Sequence, residues 1–216
     1  MHAKLGSSTV LSLVLKMSAR GTWVADVVSD SEISLSGAIE LVIGDGIATL
    51  CGTVHQGESS HGRFSARVVG GKGQLKKVLA AKAYANTPML LPLREAVEAA
   101  GEGLDDAIAS SPILLNNTTR WIRRRDTLGA ILDEMADELG ATWRVTPSGK
   151  VWIGVDVFPV LPATASSMEE LPISNSEVIA CEDALVIPGV SVGGRSVVDV
   201  VHSLSGNTWR STVYYG

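Results

Sequence analysis

The chain reads as an α+β protein, mainly β. Three observations predict this. Short runs rich in Val, Thr and Ile recur through residues 8–69 with Gly, Ser and Asp between them; residues 128–139 carry a helical apolar period; and β character resumes from residue 173 to the end. With 216 residues the chain can bury a real core as one large or two small domains. Hydrophobic residues at 45% and charged residues at 19% exclude disorder of the whole. The formal net charge of -5 argues against a general nucleic-acid binder and leaves room for a local basic patch. Five of the ten aromatic residues are Trp, which favours a few large anchors over many small ones.

Taken in order, the first β-prone runs are 9–16, 22–29, 37–43, 47–55 and 63–69, with Gly-Asp-Gly at 44–46 making a tight connection. Five runs at this spacing predict a small antiparallel barrel or sandwich. The apolar residues 10–15 invite a signal-peptide reading, but the run is short, is broken by Ser12, and has no small-residue cleavage site before Gly21. It is read as the first strand. No apolar run approaches the length of a membrane-spanning helix.

Gly70 and Gly71 then allow a helix to start at about Gln74, and propensity predicts helices over 74–85 and 92–100, the second with Pro92 in its first turn and Gly101 at its close. Residues 86–91 connect them, 101–111 are acidic and soft, and 113–115 read as a strand. Leu128, Ile131, Leu132, Met135 and Leu139 fall on one helical face, and Asp133, Glu134, Asp137 and Glu138 on the others. Asp126 stands where an N-cap is wanted and Gly140 where a left-handed C-terminal residue is common. Residues 141–145 and 150–155 are two β-prone runs joined by a Thr-Pro-Ser-Gly turn. Residues 158–172 hold three Pro and read as a surface loop; the last β runs are 177–182, 184–187, 190–192, 196–204 and 208–215, the final two joined by Ser-Gly-Asn.

Four stretches taken together carry a resemblance: GTWVADV at 21–27; CGTVHQGESSHGRFSARVVGGKGQLKK at 51–77; the RW pair, ELGATWRV and GKVWIG within 116–154; and PGVSVGGRSVVDVVHSLSGNTWRSTVYYG at 188–216. In this order they resemble the bacteriophage tail baseplate hub proteins, the family of the late-control D proteins and the N-terminal part of secretion-system spike proteins. The resemblance implies two small β-barrel-like tube domains with a mixed α/β segment between them, placed at 1–85, 86–155 and 156–216. It further implies a non-enzymatic homotrimeric ring between a six-fold tail tube and a three-fold central spike. The partners implied are a tube or tube-adaptor protein, the spike and a tape-measure protein, with DNA only in transit and no membrane. The place implied is the virion tail, assembled in the host cytoplasm. Another tail-tip ring protein and a small tail-associated peptidoglycan hydrolase are the alternatives.

Several residues invite a chemical role. Cys51, His55 and His61 form C-x₃-H-x₅-H, three candidate metal ligands where structural zinc wants four; a buried thiol with two His near a loop is the favoured reading. Cys51 and Cys181 are read as two buried thiols, with a disulfide as the alternative. Val-Val-Gly-Gly-Lys-Gly lacks the phosphate-loop spacing and reads as a close strand-to-helix turn; no cofactor is expected. Asp199, His202 and Ser203 cannot form a triad as neighbours on one strand, since His202 points to the other face. The acidic pairs Asp105/Asp106, Asp133/Glu134 and Asp137/Glu138 are read as solvated faces rather than glycosidic catalysts. That leaves Arg120, Arg123, Arg124 and Arg125, beside Trp121, as candidate contacts to a partner subunit, ahead of DNA.

Overall fold

The computed structural model describes residues 2–30, 35–161, 165–171, 174–181, 184–206 and 208–216. Pro162, Thr164, Pro172, Ile173, Glu182 and Asn207, which the sequence assigns to the 158–172 loop, the β-prone stretch after it and the last turn, lie outside those residues.

The first six strands are β1 (Ala3–Leu5), β2 (Ser8–Ser18), β3 (Val24–Ser29), β4 (Gly37–Ile43), β5 (Ala48–Ser60) and β6 (Arg63–Gly70). They pair antiparallel in the order β1-β4-β5-β6-β3-β2, and β1 also pairs with β2, so the barrel closes. Alternation of small polar and branched apolar residues puts one face of each strand inside; β6, for example, buries Phe64, Ala66 and Val68 and exposes Arg63, Ser65 and Arg67. Trp23 is 1% exposed and lies across β5 and β6, where Gly52 and Gly70 make room for it: a Cβ on either would come within 2.6 Å of its ring.

A second core belongs to the middle of the chain. It contains β7 (Val78–Leu79), β8 (Lys82–Pro88), α1 (Leu90–Ala100), β9 (Gly103–Leu104), a 3-10 turn (Asp106–Ser110), α2 (Pro112–Leu115), β10 (Asn117–Arg123), β11 (Asp126–Thr127), α3 (Leu128–Leu139), β12 (Thr142–Val145) and β13 (Lys150–Gly154). β8 pairs with β10, β7 with β11, and β12-β13-β9 forms a small sheet with β9 parallel. The long amphipathic helix is present, ending on Gly140 at φ 60°, but its N-cap is Thr127, whose hydroxyl accepts from the Ala130 amide at 3.3 Å. Asp126 stands one residue early and accepts from the Thr127 amide at 2.7 Å.

Residues 74–85 correct the sequence reading: they hold β7 and the start of β8 instead of a helix. Ala and Lys give this stretch helical propensity, but β10 is a β-branched strand that needs a neighbour, and Tyr84 stacks against Trp121 with ring centroids 5.7 Å apart. Residues 113–115 are helical rather than extended, and residues 165–171 of the expected loop form a strand.

The remaining strands are β14 (Ala165–Leu171), β15 (Ser176–Cys181), β16 (Ser191–Val192), β17 (Arg195–Ser205) and β18 (Thr208–Tyr215). The β-prone run 184–187 is not a strand. β17-β18-β15-β14 follow one another, and β17 pairs with β2, so this sheet continues the barrel wall. One edge of β2 is thus divided: Ser8 and Thr9 pair with β1, while the run from Ser12 to Ser18 pairs with β17. A third core lies here, with Ile179, Val186, Val197, Val200 and Val213 at its centre.

The middle unit is tied to the first barrel. The Gly21 amide donates to Trp143 O and the Val145 amide to Gly21 O, each at 2.9 Å, and the Cys51 amide donates to Pro147 O at 2.7 Å. Arg20 bridges Asp133 and Asp137 of α3 across the same seam.

Candidate functional site

β10 separates the basic residues by face. Trp121 is 3% exposed and Arg123 is 7% exposed, while Arg120, Ile122, Arg124 and Arg125 are exposed. Strand alternation causes this split within β10, since 121 and 123 share one parity and 120 and 122 the other; Arg124 and Arg125 follow the end of the strand. The inward pair joins the middle core. Arg123 donates from Nε to Ala80 O at 3.0 Å; its Nη1 and the Trp121 Nε1 have no hydrogen-bond partner among the described residues. Beside them the Tyr84 hydroxyl donates to Glu95 at 2.8 Å and Lys82 Nζ to the same oxygen at 2.5 Å. Burial, reinforced by that hydrogen bond, pushes the Tyr84 phenol up to about 12, and the Lys82 and Tyr84 hydrogen bonds hold the Glu95 carboxyl below its usual range. The outward residues Arg120, Ile122 and Arg124, with Trp121, meet Glu134 and Glu138 of α3 in a groove of about 470 Å³.

The Cys-His set is spread along β5. Cys51 sits half-buried against the Thr146–Lys150 turn, His55 is exposed, and His61 occupies the β5–β6 turn at φ 51° with Nδ1 2.7 Å from the Ser60 hydroxyl. No three potential metal ligands come together among the described residues. Both cysteines are free thiols, Cys51 in the barrel and Cys181 in the third core.

The glycine-rich turn after β6 does hold an anion, but the anion is the protein's own. The Lys72 amide donates to Glu102 Oε2 at 2.9 Å and the Gln74 amide to Glu102 Oε1 at 2.6 Å. Gly71 and Gly73, both at φ 74°, turn those amides inward, and a Cβ on Gly71 would come 2.8 Å from Glu102 Oε2. The cradle is filled by a buried carboxylate.

His202 is fully buried between β17 and β18. Its Nε2 lies 2.9 Å from Val186 O, and since a carbonyl only accepts, Nε2 carries the hydrogen. Nδ1 then accepts from the Ser211 hydroxyl at 2.8 Å, and the Trp209 indole donates to that hydroxyl oxygen at 3.2 Å. Burial drives the imidazole pKa down to about 4, against the opposing pull of the Val186 carbonyl. His202 is a neutral structural link and faces away from Asp199 and Ser203. The aspartates of the acidic pairs are likewise engaged in structure: Asp133 accepts from Arg20 and from the Trp143 indole, Asp137 from Arg20, Asp106 from Lys150, and Asp105 caps the 3-10 turn, while Glu134 and Glu138 line the groove beside β10.

No known protein family and no curated protein matches the sequence. Solved structures do match. The 43 kDa tail protein of prophage MuSo2 from Shewanella oneidensis superposes with a TM-score of 0.68 at 9% identity, over 98% of this chain and 95% of that one. A tail protein from Neisseria meningitidis MC58 gives 0.68 at 11% identity, over 100% and 95%. The chain has the fold of phage tail proteins. An E. coli component of the type VI secretion system, itself described as structurally similar to the T4 bacteriophage tail proteins gp27 and gp5, gives 0.62 at 11% identity over 98% of this chain and 75% of that one.

Within this tail-protein fold, two charged sites escaped the sequence reading. Arg144 forms two bonds to Asp156, at 2.9 and 2.6 Å, with its guanidinium 4.3 Å from the Trp152 ring centre. Gly189 closes over this pair: it has φ 91°, and a Cβ there would lie 2.6 Å from Asp156 Oδ1. In the C-terminal sheet, buried Glu177 accepts from Arg195 and from the Tyr215 hydroxyl, and the Arg195 guanidinium covers the Tyr215 ring at 3.9 Å. A hydrogen bond from Ser167 is the largest influence holding the Glu177 carboxyl down, while burial and the Glu177 hydrogen bond push the Tyr215 phenol up to about 12. Partners 12 and 38 residues apart left no local pattern to find.

Proposed function

We propose that the chain is a structural subunit of a phage tail baseplate, three copies of which form a hub ring between the six-fold tail tube and the three-fold central spike. The observation that carries the reading is the match over essentially the whole chain to two tail proteins, alongside a secretion-system component described as resembling gp27 and gp5. A closed barrel whose wall runs on into a second sheet suits a ring built from two β units per subunit. The reading keeps two β units and a middle α/β unit, with β7 and β8 counted in the middle one because Leu79 and Tyr84 pack in its core; Leu185 and Leu204 of the C-terminal stretch pack into the barrel core. The role is assembly without catalysis: β surfaces abut between subunits around a channel through which DNA passes, in contact with the tube, spike and tape-measure proteins of a virion tail assembled in the host cytoplasm. Arg120, Arg124 and Arg125 supply outward charge for those contacts, and Trp121 and Arg123 hold the strand that presents it.

Native mass spectrometry tests this directly. The 22.6 kDa chain, alone or with the spike protein of the same particle, is expected at three copies per complex. A chain that stays monomeric under both conditions overturns the ring.

A further inference from the structure

The groove beside β10 has a geometry that names its occupant. Residues on one face of a strand have the same parity, so a groove lined by Arg120, Trp121 and Ile122 in succession runs along the strand's edge and not over a face. No β8 residue lines it, so the edge is the one away from β8; the opposite wall is α3, through Glu134 and Glu138, one helical turn apart. Among the described residues β10 pairs with β8 alone. The edge therefore offers unpaired backbone N–H and C=O groups to a channel walled by a helix. The side chains of Arg120, Arg124, Glu134 and Glu138 make no ion pair or hydrogen bond among the described residues, so charges of opposite sign face the groove without neutralising one another.

We propose that this groove docks an extended segment of a partner protein, which adds to β10 as a third strand. Main-chain pairing to residues 120–124 supplies the binding, and charge sets the sequence. Side chains of the added strand directly beside Arg120 and Arg124 are acidic, and the one beside Ile122 is apolar, because Arg120 and Ile122 share the outward face of β10 and Arg124, the residue after it, lines the same groove. The two intervening side chains alternate with these and are basic, answering the Glu134 and Glu138 carboxylates of the opposite wall. The recognised pattern is thus acidic-basic-apolar-basic-acidic. The proposal rests on reading the basic run as a contact surface and assigns the chemistry of what it contacts.

The test uses the full chain and a blocked synthetic peptide with Glu-Lys-Val-Lys-Glu at its centre. Calorimetry is expected to detect binding, with amide hydrogen exchange slowed at residues 120–124, and with a Lys-Glu-Val-Glu-Lys peptide weaker by about tenfold or more. In the quadruple variant R120E/R124E/E134K/E138K the preference between the two peptides is expected to reverse. The proposal is overturned by absence of binding up to about 1 mM, by equal affinity for the two peptides, or by undiminished binding of a peptide N-methylated at alternate amides. Slowed exchange at 120–124 that grows with protein concentration and without peptide would assign the edge to a second copy and overturn it too. A trimer that ignores the peptide refutes the groove and leaves the ring; a monomer that binds it does the reverse.

Discussion

Acidification should loosen this fold before its carboxylates titrate, and His202 should be the cause. Its imidazole is neutral in the folded chain with a pKa driven to about 4, against an ordinary value of 6.5. A depressed histidine means that the unfolded chain binds more protons between these values, so stability is complete above 6.5 and is lost as pH falls toward 4. At about 1.4 kcal/mol per pH unit, the loss relative to neutral pH is about 2 kcal/mol at pH 5 and approaches about 3 kcal/mol near pH 4. The depressed carboxyls Asp26, Glu95, Asp137 and Glu177 act in the same direction, but their contribution is lost only below the ordinary values of 3.8 to 4.5. The window from pH 6.5 to 5 therefore isolates the histidine. Urea unfolding at half-unit steps across it reads the slope, and His202→Gln, which keeps a donor toward Val186 O, is expected to flatten it while losing about 1–2 kcal/mol at neutral pH through the weakened Ser211 and Trp209 contacts. A wild-type stability that does not change across the window, or a variant with an unchanged slope, would refute the reasoning.

Other perturbations probe the remaining links. Glu102→Ala removes the acceptor of two backbone amides in the glycine turn and is expected to cost about 3 kcal/mol in chemical denaturation; a loss below about 0.5 kcal/mol would mean that the cradle does not need its anion. Gly189→Ala forces a Cβ toward the Arg144–Asp156 pair at a positive φ, and a drop of about 2–3 kcal/mol is expected, with Gly193→Ala, which meets nothing within 4 Å, as the control for φ alone. Reversing Arg120, Arg124 and Arg125 together should leave the unfolding midpoint nearly unchanged, since all three are exposed, yet impair assembly of tail particles. Normal particles from that triple variant would remove these residues from the contact surface.

Where pattern and packing agreed, the sequence was readable. The α3 face of Leu128, Ile131, Leu132 and Met135, its stop at Gly140, the β12–β13 hairpin and the long strands of the barrel all follow from local periodicity. The missed strands share a cause. β7 is only Val78 and Leu79 within a stretch rich in Ala and Lys, β8 opens on Lys-Ala, and β14 is largely Ser, Met and Glu, so only the strand beside each reveals that it is extended. At the candidate site the basic run was visible, and its division was latent in the same letters: once β10 is a strand, Trp121 and Arg123 must share a face. What no pattern carried is the groove, because the 134–138 wall belongs to a helix that folds back on the strand.

The divided edge of β2 has a consequence for how the chain acquires its shape. β1 covers only Ser8 and Thr9, and the stretch from Ser12 to Ser18 waits for Asp199 to Ser205. On a ribosome the barrel strands emerge long before β17 exists, so the nascent barrel carries an open strand edge bearing Leu13 and Leu15 until β17 has been made. Closing that edge joins residues far apart in the chain, which makes it the slow, late step of folding. A chain cut short before residue 199 would keep its barrel strands and lose their cover, and self-association through β2 is the failure it would meet first.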